Sequence, residues 1–193
     1  MSRRVAPVAG TFAYIEEKIR AECPGTKFGS AFEWLCKYFL QNGPKYAGVF
    51  EKIWRWNEWP DRWGIDKGID LVARTKDGKL WAIQAKAVSP DRSIPKSELD
   101  SFLSESNRPQ FDYRLIIATT DDIGRNARDT IKGQEKPVGL VLRGHYRRGT
   151  FAGFLFLGPV QAAGEAGETV IVHQERLRGL EIVEDIAGWI TKQ

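Results

Sequence analysis

Asp70, Gln84 and Lys86 bring together a carboxylate, an amide oxygen and an amine on two adjoining segments with strand-like composition, Gly68 to Thr75 and Lys79 to Val88. Between them lies Lys76-Asp77-Gly78, a turn whose glycine can take the left-handed conformation. If these three residues form the loop, Thr75 pairs with Lys79 and paired numbers sum to 154, which sets Asp70 opposite Gln84. Side chains alternate along a strand, so Asp70, Gln84 and Lys86 then share one face while Leu71, Ala73, Trp81, Ile83 and Ala85 form an apolar wall on the other. A two-residue Asp77-Gly78 loop would shift the pairing by one and separate Asp70 from Gln84 and Lys86. A carboxylate and an amide oxygen converging at a sheet end suit a hard divalent cation such as Mg²⁺, whose retained waters a phosphate can displace. Lys86 could then orient or deprotonate a water, or stabilise a pentacovalent phosphate. The plain alternative is a cross-strand ion pair between Asp70 and Lys86 with Gln84 merely polar.

The elements that must position these groups are legible around them. Thr11 can cap a helix through Arg20, with Phe12, Ile15 and Ile19 on one side and Pro24-Gly25 ending it. Ser30 to Gln41 repeats apolar residues at three- and four-residue steps (Phe32, Leu35, Phe39, Leu40), with Ser30 as N-cap and Glu33 in the capping-box position. Val49 to Asn57 alternates like a strand and leads into a Trp-rich loop, Glu58 to Lys67. Pro95 opens a helix running to about Ser106, Tyr113 to Thr119 is a nearly continuous apolar strand suited to a sheet centre, Arg125 to Lys132 is a short basic helix, and Val138 to Leu142 is a further buried strand. This order predicts an α/β layer fold with a mixed sheet. Beyond Arg143, Phe151 to Leu157 and Thr169 to Val172 read as strands and Leu180 to Trp189 as a helix.

Composition excludes several chemistries. Two cysteines (Cys23, Cys36) and two histidines (His145, His173) in 193 residues cannot build a Cys-rich or Cys/His zinc site, and the cysteine spacing is not that of a redox pair. Cys36, on an apolar helix face, reads as a small buried hydrophobe. The longest apolar run, Phe151 to Val160, is broken by Gly153, Gly158 and Pro159 and is short of a membrane span, and Met1 to Gly10 lacks the apolar core of a secretory signal. A cytoplasmic protein with no membrane partner is expected. The net charge of +4 is uneven: residues 1–150 hold 26 basic and 19 acidic side chains, net +7, whereas 151–193 hold 3 and 6, net −3. We therefore divide the chain into an N-terminal helical extension (1–27), a core (28–150) and an acidic tail (151–193).

The run Gly68-Ile69-Asp70-Leu71-Val72-Ala73, a short hairpin, Gln84-Ala85-Lys86, a helix, and the strand Ile116-Ile117-Ala118-Thr119-Thr120 resembles the PD-(D/E)XK nuclease superfamily. Within it the pattern is similar to the Mrr-like restriction endonucleases in which Gln replaces the usual acidic residue, and to the N-terminal nuclease domain of type ISP restriction enzymes. The likeness covers roughly residues 28–142. It implies a three-layer fold with a central mixed sheet flanked by helices, and a divalent-metal-dependent endonuclease acting on duplex DNA as part of a restriction or DNA-defence system. Under it, Asp70 and Gln84 are metal ligands, the Ala85 carbonyl a third, Lys86 the catalytic lysine, Glu33 a further metal-side carboxylate, and Mg²⁺ the cofactor with Mn²⁺ as substitute. Ile69 stands where many members have Pro, and no helicase pattern follows Arg143. A homodimer, or a helicase, translocase or methyltransferase partner, would supply sequence specificity.

Arg55, Arg62, Lys67, Arg92, Lys96, Arg125 and Arg128 are the candidate DNA contacts, as cations able to neutralise phosphates. Thr119, Thr120 and Asn126 could add hydrogen bonds to phosphate. Four of the seven Trp (Trp54, Trp56, Trp59, Trp63) lie in the segment that leads directly to Asp70 and either contact bases and sugars or anchor their loop, which is expected of at least two. A catalytically silent DNA-binding or interaction module, and an RNA- or structure-specific nuclease, are the alternative functions.

Overall fold

The computed structural model describes residues 12–43, 46, 48–65 and 68–147. Lys67 and the three tail elements expected beyond Gly149 lie outside the described residues. Helix α1 (Phe12–Glu22) ends at Pro24-Gly25 as its sequence requires, and α2 (Thr26–Asn42) follows. Five strands, β1 (Phe50–Arg55), β2 (Leu71–Thr75), β3 (Leu80–Lys86), β4 (Tyr113–Ala118) and β5 (Val138–Val141), form one sheet in chain order. The pairs β1/β2 and β2/β3 are antiparallel, and β3/β4 and β4/β5 parallel, so the sheet is mixed. The crossover from β3 to β4 carries a 3₁₀ turn (Lys96–Glu98) and α3 (Asp100–Glu105). Helix α4 (Arg125–Lys132) makes the next crossover, and α5 (Arg143–Arg147) follows β5.

Two apolar cores, one on each face, make this a three-layer arrangement. On one face Ile15, Ile19, Phe32, Leu35 and Phe39 of the first two helices cover Leu71, Ala73, Ile83, Leu115 and Ile117, with Trp81 and Ala85 packed beside them. On the other, Leu99, Phe102, Leu103, Ala127 and Ile131 cover Val72, Ala82, Ile116 and Ala118. Strand β4 is buried on both faces from Arg114 to Ala118, as its unbroken apolar run predicts. Arg114 is the exception in polarity: its guanidinium donates to the carbonyls of Leu103 and Lys136 and to Gln134 Oε1.

Several boundaries differ from expectation for identifiable reasons. Helix α2 starts a turn earlier than Ser30, because Phe28 extends the buried face; its N-cap is Gly25, with no side-chain cap, so Ser30 and Glu33 form no capping box. The helix expected from Pro95 to Ser106 is divided at Leu99 into a 3₁₀ turn and α3. The division between residues 27 and 28 falls inside α2, and Ile15 and Ile19 of α1 are fully buried in the first core.

Candidate functional site

The β2–β3 hairpin has the register that the three-residue turn requires. Leu71 pairs with Ile83, Val72 with Ala82 and Ala73 with Trp81, and the Thr75 N–H donates to the Lys79 carbonyl at 2.9 Å. Gly78 has φ +85°, the left-handed conformation that lets so short a loop close. In this register hydrogen-bonded pairs alternate, so a regular ladder would send the Ala85 N–H to the Ile69 carbonyl. Instead the chain turns away before Leu71. The Asp70 N–H donates to the Ile83 carbonyl (3.0 Å), the Asp70 carbonyl accepts from the Trp56 N–H (2.8 Å), and Asp70 Oδ2 accepts the Ala85 N–H at 2.6 Å.

Asp70 is therefore held by its own carboxylate at the point where the two strands part. That bond places the carboxylate against the backbone between Gln84 and Lys86, rather than simply above one face of a regular ladder. It also lets Asp70 line a cavity of about 270 Å³ with Ser30 and Glu33 of α2, Arg55 and Arg62. Both carboxylates act on Cys36: burial foremost, then the negative charges of Asp70 and Glu33, push its thiol well above the ordinary value. Cys36 is fully buried, as its position on the apolar face predicts, and is not poised as a nucleophile.

Gln84 is 4% exposed, and its Oε1 is buried without a hydrogen-bond partner. A bare acceptor in a folded interior is costly, and it fits the expected donor set because a cation would satisfy it. Lys86, at the end of β3, is half-buried, with its Nζ 4.0 Å from Glu98 Oε2. The carboxylate that stands beside the Lys86 amine is that of Glu98, on the 3₁₀ turn that follows β3. Glu33 lies 3.9 Å from Arg55 Nε. Among the described residues no group of three or more His, Cys, Asp or Glu is gathered as a metal cluster.

The cations proposed for DNA are placed unequally. Arg55 is largely buried, stacked 5.2 Å from the Trp34 ring and close to Glu33, so it faces the site rather than solvent. Arg62 is exposed at the rim of the same cavity. Arg92 pairs with Glu98, and Lys96 with Asp100 at 2.6 Å; both are about half exposed. Arg125 and Arg128 are exposed on α4, with Arg128 Nε donating to the Ile123 carbonyl at 2.7 Å.

The two threonines considered as phosphate contacts do not face solvent. Thr119 and Thr120 are fully buried, and Thr119 Oγ1 accepts from the Val88 N–H (2.8 Å) and donates to the Val88 carbonyl (2.6 Å). The same carbonyl accepts from Arg20 (3.0 Å), whose partner Glu16 is buried. Thus α1 and β4 both fix the segment that leaves β3 after Lys86. Trp54, Trp56 and Trp59 are buried too, because each large ring completes a core, in line with the loop anchoring expected of at least two. Glu98 and Glu16 carry no signal in the sequence that distinguishes them from surface charge.

A five-stranded mixed sheet with helices on both faces is an α/β arrangement similar to that of restriction endonuclease structures. Residues 41–147, more than half of the chain, match the model of the Mrr_cat_2 family, described as restriction endonuclease, and the chain belongs to that family. The matched segment includes Asp70, Gln84 and Lys86 and leaves out Glu33. The chain is also similar to the ATP-dependent Type ISP restriction-modification enzyme LlaBIII bound to DNA, at 34% identity and a TM-score of 0.58, over 71% of this chain and 8% of that one. The modification-dependent restriction endonuclease AspBHI (18% identity, TM-score 0.52) and MspJI in complex with a 27-mer oligonucleotide (17%, 0.53) share the fold over 96% and 100% of this chain and 45% and 38% of theirs. The chain thus spans less than half the length of each. No curated protein matches it.

Proposed function

We propose that this chain is a divalent-metal-dependent endonuclease domain that hydrolyses phosphodiester bonds of duplex DNA, as part of a restriction or DNA-defence system. The observation that carries the reading is the buried Gln84 Oε1, an acceptor without a partner on the residue beside the one whose N–H holds Asp70. Asp70 and Gln84 would hold the cation, with the Ala85 carbonyl and Glu33 as further oxygen donors. Mg²⁺ is the expected ion and Mn²⁺ its substitute. When bound, it supplies Lewis acidity to a phosphate oxygen and acidity to a water.

The chain's own groups then have distinct tasks. The Ala85 N–H fixes the rotamer of Asp70, so that carboxylate is oriented before any substrate arrives. Lys86, kept within 4.0 Å of Glu98, presents an amine that orients the attacking water and neutralises charge developing on phosphorus. Arg62 at the cavity rim supplies a cation for the neighbouring phosphates. So small a domain reads few bases, and recognition would come from a second copy, a translocase or a methyltransferase; LlaBIII, far longer than this chain, fits that arrangement.

Incubating the full chain with supercoiled plasmid tests the reading. Wild type should nick with Mg²⁺ or Mn²⁺ and not in EDTA, and Asp70→Ala and Lys86→Ala should bind DNA without nicking it. Wild type that nicks under no metal, or variants that cut as fast as wild type, would refute it. Cleavage confined to RNA or branched DNA would refute the duplex substrate.

A further inference from the structure

The Trp-rich segment before Asp70 is not absorbed by the site. Trp56, Trp59 and Trp63 pack against one another in tilted and edge-to-face pairs at centroid separations of 5.1–5.7 Å, and Trp59 and Trp63 pack on Phe111 at 5.6 and 5.9 Å. Trp63 Nε1 donates to Glu105 at 2.9 Å, and the Arg108 guanidinium lies 4.2 Å over the Trp63 ring. The next residues are Gly64, at φ +73°, and Ile65. At the far end Gly68, at φ +77°, lies so close to Phe102 that a Cβ there would come within 3.0 Å of its backbone N. An aromatic block thus stands immediately before Gly64 and Ile65, and a tightly packed glycine stands at Gly68.

Ile65 is 85% exposed, whereas the other exposed large apolar side chains among the described residues, Val49 and Tyr113, reach 38% and 40%. It lines the same cavity as Asp70, Glu33 and Arg62. An exposed aliphatic side chain two residues beyond a packed aromatic block, beside a guanidinium and a carboxylate suited to phosphate chemistry, has the chemistry of a base-step wedge: the cation meets the backbone and the apolar group meets stacked base faces. We infer that Ile65 inserts between base pairs next to the scissile phosphate of duplex DNA, unstacking that step and seating the phosphate at Asp70. The inference rests on the nuclease reading and adds to it how the duplex is engaged.

Plasmid unwinding tests it without knowledge of a recognition sequence. Full-length Lys86→Ala, with and without Ile65→Ser, is bound to relaxed closed-circular DNA, the circles are treated with topoisomerase, and the change in linking number is read after protein removal. Lys86→Ala should unwind the circles. Adding Ile65→Ser should abolish the unwinding and weaken duplex binding about tenfold, as loss of one buried aliphatic side chain implies, with the melting temperature unchanged. Ile65→Phe should restore both. Wild type that cuts duplex DNA while Ile65→Ser cuts, binds and unwinds equally well overturns the wedge alone; wild type that neither binds nor cuts overturns both readings. A variant altered only in oligomeric state overturns the wedge in favour of a protein contact.

Discussion

Replacing Gln84 by leucine separates the cost of the site from its use. Gln84 Oε1 is buried without a partner, and an unsatisfied buried acceptor costs ~1–3 kcal/mol. Its neighbours on that face of the sheet include Val72 and Ala82, both fully buried, which accept an aliphatic side chain of similar volume. Gln84→Leu should therefore raise the stability of the metal-free protein by ~1–2 kcal/mol, a melting temperature about 2–6 °C higher for a chain of this size. Wild type should gain in turn from Mg²⁺, by ~1.4 kcal/mol at ten times its dissociation constant, and Gln84→Leu should gain much less. Gln84→Glu makes the opposite change: a buried carboxylate lowers stability in EDTA and draws a larger increment from the cation. Thermal melts of the three proteins in EDTA and across a Mg²⁺ titration read all of this. A Gln84→Leu protein less stable than wild type in EDTA, or equal metal increments in both, would refute the assignment of that oxygen to a cation.

Other predictions follow from the surroundings of the site. In a Cys23→Ser background, Cys36 should react with iodoacetamide only as the protein unfolds. Because burial raises its pKa, the folded state holds the thiol proton more tightly; that stability is full below the ordinary value of 9.0 and declines as pH rises above it, which melts from pH 8 to 10 should show. Gly68→Ala combines a left-handed φ with a Cβ 3.0 Å from the Phe102 backbone N. It should cost ~1–3 kcal/mol by denaturant titration and depress cleavage, since Asp70 lies two residues on.

The hairpin and the central strand were the most legible parts, because each rests on local physics. Lys76-Asp77-Gly78 can close only a few ways, and the one with Gly78 left-handed sets the register of every residue in β2 and β3. Tyr113 to Thr119 has no polar alternation and so belongs where both faces are covered. The boundary of α2 was not legible from a cap: Ser30 offers a good local signal, yet burial of Phe28 extends the helix past it. Local pattern likewise cannot say which side of a Trp-rich segment meets water, and only the pairing of the rings with Phe111, 48 residues from Trp63, puts them inside. The opening of the ladder at Asp70 has the same origin. It depends on a bond to the backbone of a different strand, and the choice of Glu98 as the neighbour of Lys86 depends on where the 3₁₀ turn after β3 packs.

The account turns on whether Asp70 and Gln84 share a cation. Crystals soaked in Mn²⁺ and measured at the manganese absorption edge answer it directly. An anomalous peak should lie about 2.0–2.4 Å from both an Asp70 carboxylate oxygen and Gln84 Oε1 in wild type, and should vanish in Gln84→Leu. A peak coordinated without Gln84, or none at concentrations that support cleavage, would contradict it.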